Sequence, residues 1–192
     1  NRVTDAFMGM SSQPSLGGPT YFIRNTMYNV VYSAFKLHNT SIGDVILHNS
    51  VVKSGDALGV YAGAPIRRAV FRNNLFYGGP GGTYGGYNNG SGRVATIVDL
   101  DTATSTLDYD SFGTSATGFA GRLGAASFTS LTTLRSATSE KHAWQFALSD
   151  FAAAVAYPSS PMAAHSAVDL RPKAGGSLEN RGLRLPNIND GY

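Results

Sequence analysis

Cysteine is absent from the 192-residue chain, which removes disulfide frameworks, thiol nucleophiles and cysteine-ligated zinc. Charge is sparse too: Asp, Glu, Lys and Arg make up 14% of the residues. Coiled coils and long helical bundles are rich in Glu, Lys, Leu and Arg and do not fit that scarcity. Disorder is not implied, because 42% of the residues are hydrophobic and disordered chains combine few apolar residues with high net charge. No run approaches the ~18 consecutive apolar residues of a membrane helix; the longest small-apolar run is Ala152 to Ala156. Hence no membrane span is expected. The excess of 15 basic over 12 acidic residues is small, and the basic residues are scattered rather than interleaved with aromatics. A nucleic-acid partner is therefore not expected, whereas an acidic polymer remains compatible with the charge.

What the chain does contain is glycine, 23 residues of it, and an internal repeat. Three segments align without gaps: Tyr21 to Tyr28, Val45 to Val52 and Ala69 to Phe76. Asn25, Asn49 and Asn73 are spaced by 24 residues. A basic residue precedes each (Arg24, His48, Arg72), and a small polar residue then an aliphatic one follow. Alternation within each segment has the strand period of two. A unit of about two dozen residues cannot bury its apolar face alone, so it must stack on copies of itself. In this alignment Ile23, Leu47 and Phe71 point inward, as do Met27, Val51 and Leu75, while the asparagines form stacked corners. Phe22, Ile46 and Val70 then face outward and need a cover, for which Trp144, Phe146 and Phe151 are the candidates. Leucine-rich repeats also carry an asparagine per turn, but their spaced leucines are missing here.

These segments resemble the coils of right-handed parallel β-helix proteins of the pectate-lyase-like superfamily. The stretch from Ser105 to Phe112 is similar to the late-coil element of secreted bacterial members, and Phe128 to Thr138 to their short helix. The stretch from Val168 to Ser177 resembles their closing element, with Leu178 where proline is usual, and Leu185 to Gly191 follows it. The resemblance implies an all-β fold: a right-handed parallel β-helix of about 24 residues per coil with an irregular C-terminal cap containing one short helix. It also implies a secreted or cell-surface protein of bacterial type, but no activity, because one fold serves many functions.

Along the chain, residues 1–117 read as coils and 118–192 as a capping and covering segment. Residues 1–20 are expected to wrap the first coil. The absence of an initiator Met and of an evident cap at Asn1 suggests preceding coils or another chain at that end. Third strands are placed at Ala34 to His38 and Ala57 to Tyr61. Eight of the fifteen residues from Gly78 to Gly92 are glycine, which reads as a surface excursion.

In lyases of the superfamily the substrate lies on the outer face of the first-sheet strands. Here the matching outward positions are Lys36, His38 and Tyr61, the catalytic candidates for β-elimination on an acidic polysaccharide. Such a reaction needs a base and a cation that neutralises the uronate carboxylate. Arg24, His48 and Arg72 would form a basic row along the solenoid, Arg67 near the catalytic candidates in sequence is a further substrate-binding candidate, and Tyr84 and Tyr87 could stack on sugar rings. Asp99, Asp101, Asp108 and Asp110 form two Asp-x-Asp pairs able to ligate Ca²⁺, although neither sits in an EF-hand loop. No metal site is assigned, since the histidines lack metal spacing. The two functional expectations are a polysaccharide lyase and a non-catalytic β-helix that binds, adheres or builds a surface.

Overall fold

An amide needs partners when buried, and stacked asparagines supply them to one another. In the computed structural model, which describes residues 1–13, 18–39 and 41–188, Asn25 donates its side-chain amide to Asn49 Oδ1 at 2.8 Å. Asn49 donates in turn to Asn74 Oδ1 at 2.9 Å, and Asn74 to Asp110 Oδ1 at 2.8 Å. Asn1 joins the other end, donating to Asn25 Oδ1 at 3.0 Å. The third asparagine of the ladder is thus Asn74, not Asn73. Tyr28 pairs with Val52, a step of 24, but Phe35 pairs with Val60, a step of 25. The added residue lies between Val52 and Val60, in the turn that holds Gly55 at φ 73°.

Because of that one-residue slip Phe71 stacks on Ile46, and through it on Phe22, rather than on Leu47, so a gapless 24-residue alignment assigns the two strand faces wrongly. Phe22, Ile46, Phe71 and Leu107 stack in register and are buried. So Phe22 and Ile46 face the core instead of pointing outward, and Ile23 is only half-buried. The neighbouring inward column is Met27, Val51, Phe76 and Phe112, with Phe76 in the place expected for Leu75.

The strands are β1 (Arg2–Ser12), β2 (Tyr21–Ile23), β3 (Thr26–Leu37), β4 (Val45–Leu47), β5 (Ser50–Val52) and β6 (Leu58–Ala62). Then follow β7 (Val70–Arg72), β8 (Leu75–Gly78), β9 (Thr83–Tyr84), β10 (Tyr87–Asn88), β11 (Ala95–Ile97), β12 (Thr106–Asp108) and β13 (Ser111–Thr114). The chain continues with β14 (Gly121–Leu123), β15 (Ala126–Phe128), α1 (Leu131–Ala137) and β16 (Trp144–Gln145), then a 3₁₀ turn at Leu148–Asp150. Pairing is parallel from coil to coil: one ladder runs β2, β4, β7, β12, and another runs β5, β8, β13, β16 beside β3. The result is a β-solenoid of about five turns, with 39% strand and a coil spacing of about 25 residues. It is a parallel β-helix with one short α-helix. No helix among the described residues is long and apolar enough to cross a membrane.

The N-terminal residues Arg2–Ser12 do more than wrap the first coil, because they form β1, a full strand stacked parallel on β3. The C-terminal material covers an outer face, though not the expected one. Phe146, Phe151, Leu170 and Leu178 pack on Tyr28, Val52, Leu75 and Tyr77, side chains that point away from the main core. Ser130 caps α1, its hydroxyl accepting from the Thr133 N–H at 3.1 Å. Asn189 to Gly191, in the stretch that follows the closing element, lie outside the described residues.

Candidate functional site on the outer face of the first coils

Strands alternate their side chains between faces, so the residues between the core positions of β1, β3 and β6 meet on the outside. Lys36 pairs with Tyr61 across β3 and β6, and its Nζ lies 5.7 Å from the Tyr61 ring centroid. The His38 ring stacks on the same tyrosine, 5.2 Å between centroids with planes 11° apart. The three catalytic candidates from the sequence are therefore in contact.

Tyr32 extends the group, its ring 6.0 Å from Tyr61 and 5.8 Å from Phe7 on β1. The glycine-rich excursion folds as the hairpin β9–β10, turning through Gly85 and Gly86 at φ 55° and 83°. It brings Tyr87 against Tyr32 at 5.1 Å and Phe7 at 5.3 Å. Phe7 and Tyr87 stay 38% and 48% exposed, so this is a solvent-facing aromatic surface. Beside it lies a groove of about 200 Å³ lined by Tyr32, Ser33, Asp56, Tyr61, Asn88 and Thr96. Burial, and to a lesser degree Tyr61 and Tyr87, push the Tyr32 phenol above its ordinary pKa, leaving it a hydroxyl donor.

The excursion is anchored at its base. Asp56 Oδ1 accepts the N–H groups of Ser91, Gly92 and Arg93 at 3.0, 3.1 and 2.9 Å, a backbone nest closed on a carboxylate. Its Oδ2 accepts from the Thr96 hydroxyl at 2.7 Å. Asn89 donates to the Val31 carbonyl and the Ser54 hydroxyl, at 2.8 and 2.9 Å. Beneath them Lys53 is fully buried, its ammonium donating to the Ser54 and Asp56 carbonyls at 2.5 and 3.1 Å. Burial pulls that ammonium down to about 7, against the Asp56 charge that holds it up. Tyr84 faces Tyr87 across the hairpin and lies within electrostatic reach of Tyr157 rather than in the ring cluster.

The basic row is not continuous. Arg24, His48, Asn73 and Tyr109 share a left-handed corner, with φ of 56°, 56°, 59° and 60°. Arg72 stands one position earlier, stacked on Leu47, and its guanidinium binds the Phe71 and Thr106 carbonyls. Arg24 donates to the Ile188 carbonyl. His48 is pulled below its ordinary pKa by burial and then by Arg24, so it adds no positive charge at neutral pH. Arg67 faces Asp101 at 3.8 Å on another corner. His48, Asn73 and Tyr109 line a second concavity of about 200 Å³ with Leu178 and Arg181 of the C-terminal segment.

Among the described residues, no group of three or more His, Cys, Asp or Glu is placed to hold a metal ion. The aspartate pairs are divided between separate tasks: Asp101 caps the Ala103 N–H, Asp108 holds His142 at 2.9 Å, and Asp110 ends the ladder. Phe7 and Tyr32 escaped the sequence reading, although they lie one coil of 25 residues apart, and that spacing was their signal. No protein-family model matches this chain, and neither a curated protein nor a solved structure matches it significantly.

Proposed function

We propose that this protein is a secreted, carbohydrate-binding β-helix whose outer face of Phe7, Tyr32, Tyr61 and Tyr87 holds an acidic glycan. The observation that carries the reading is the convergence of four aromatic rings from three coils and one hairpin around an open groove. Aromatic faces bind the apolar faces of sugar rings, while phenol and amide groups at the rim bind hydroxyls. Lys36 at the edge supplies the positive charge that favours a carboxylate or sulfate. The parallel solenoid and the closing elements from Ser105 onward support placing the chain beside the pectate-lyase-like β-helices.

Affinity electrophoresis through pectate, alginate and glycosaminoglycan gels tests this. Retardation of the wild-type protein, lost in Tyr32→Ala and Tyr87→Ala and weakened in Lys36→Ala, is the expected result. Equal mobility in every gel sinks it.

A second reading, lyase chemistry at the same place, is favoured by the contact of Lys36, His38 and Tyr61. His38 or the Tyr61 oxygen would remove the proton beside the uronate carboxyl. The bond to the leaving glycosidic oxygen then breaks as a carbon–carbon double bond forms, the oxygen taking a proton from the other of these two groups or from water, with Lys36 neutralising the carboxylate. Growth of ultraviolet absorbance from unsaturated products, abolished in Tyr61→Phe or His38→Gln with binding retained, separates a lyase from a binding module.

A further inference from the structure

The asparagine ladder ends on an acid. Asp110 is fully buried and its Oδ1 accepts both the backbone N–H and the side-chain amide of Asn74 at 2.8 Å. Against it lies Glu140, also fully buried, within hydrogen-bonding reach of the Asp110 carboxyl. Asp110 Oδ2 and both Glu140 oxygens accept no hydrogen bond of normal geometry among the described residues; the Asp110 backbone N–H favours the ionised Glu140 only weakly against burial and the Asp110 charge. Two ionised carboxyls touching in an interior would combine lost hydration with repulsion. One proton held between them removes the repulsion and gives the unpartnered oxygens a hydrogen bond.

We propose that Asp110 and Glu140 share a proton that latches the C-terminal cover to the end of the ladder, and that losing it in alkali releases the cover. Glu140 lies between α1 and β16, and from this segment the Trp144 N–H donates to the Asp110 carbonyl at 3.1 Å. Beyond β16 the chain runs into Phe146 and Phe151, which cover Tyr28, Val52 and Tyr77. Opening at Glu140 therefore loosens the root of the cover.

The surrounding charges do not replace the proton. Asp108 on β12 acts on Glu140 through its charge and is already engaged by His142, and Arg72 on β7 acts on Asp110 through its charge, its guanidinium hydrogen bonds going to Phe71 and Thr106. Arg135 on α1 is bound to the Ala143 carbonyl, and Lys141 to the carbonyls of Arg135 and Ser136. Burial pushes both carboxyls upward, with the Asp110 and Asp108 charges pushing Glu140 further. The folded state thus holds the proton more tightly than the unfolded chain. The latch is complete in acid, and its contribution falls as pH rises from the ordinary carboxylate range of about 4 through the raised values, by about tenfold in the unfolding constant per pH unit per proton.

Trp144 is the sole tryptophan and sits at the root of the cover, so its emission reports the latch. Between about pH 5 and about pH 9 the wild-type emission is expected to shift to the red. The Trp144 and Phe146 amides should lose exchange protection over the same range while Asn49 keeps its own. In Glu140→Gln and Asp110→Asn an amide supplies the missing donor, and the transition should vanish; His142→Gln should retain it. The same transition in both acid variants overturns the proposal, as does its abolition by added Ca²⁺, which would mark a cation site. Carbon-13 carboxyl titration of the unmodified protein decides the matter even if the variants do not fold. Two buried carboxyls titrating near ~4 overturn the latch, and one proton retained above neutrality supports it.

Discussion

Asn73 and Asn74 are chain neighbours with unlike tasks. Asn74 is fully buried and exchanges hydrogen bonds with Asn49, Asp110 and the Ile46 carbonyl. Asn73 is half-buried and ties down the C-terminal tail, accepting from the Leu183 N–H at 2.7 Å and donating to its carbonyl at 2.8 Å. Removing a buried partner strands each group it served, at about 1–3 kcal/mol apiece. Asn74→Ala should therefore lower stability by about 3 kcal/mol or more, and Asn73→Ala by about 1 kcal/mol, read from urea unfolding. The reverse order would restore the 24-residue alignment. The chain shows both asparagines equally; only hydrogen-bond register tells them apart.

Among the elements, the glycine excursion depends most on backbone freedom. Gly90 has φ 98°, and a Cβ there would lie 2.2 Å from the Asp56 carboxyl. That carboxylate organises the Ser91 to Arg93 backbone, so Gly90→Ala should displace the hairpin and take Tyr87 off Phe7 and Tyr32. Glycan retardation should fall as far as in Tyr87→Ala with the far-UV circular dichroism of the solenoid unchanged; unchanged retardation would show that the hairpin is placed by other contacts. The glycine run made an excursion legible from its composition. Where the hairpin lands was not legible, because the landing depends on Asp56 and Asn89, polar residues with no periodic mark. The same limit applies to the cover: its aromatics Phe146 and Phe151 could be named in advance, but they pack on the β3, β5 and β8 ladder rather than on β2, β4 and β7.

For the molecule as a whole, two buried charges pull the pH profile in opposite directions. Lys53 is held below its ordinary pKa in the folded state, so the unfolded chain binds the proton that the native state gives up. Its contribution makes stability rise from about pH 7 towards the ordinary lysine value of about 10.4. The carboxyl pair makes stability fall over part of that range. In Lys53→Met, unfolding midpoints measured from about pH 7 to about pH 9 should decline more steeply than in the wild-type protein. Parallel profiles would show that Lys53 keeps its proton in the fold. Period, strand alternation and asparagine corners were enough to establish a parallel β-solenoid, because a stacked coil repeats its chemistry at every turn and writes that repeat into the chain; the short C-terminal helix was expected from the resemblance instead. They also placed Lys36, His38 and Tyr61 on one outer face. The gathering of Phe7, Tyr32 and Tyr87 around them, the break in the basic row and the acid pair at the ladder end arose from three-dimensional packing. Hydrogen bonds lock each strand to the next coil, but the turns between strands vary in length at small entropic cost. Sequence distance therefore measures stacking well within a strand and poorly across a corner.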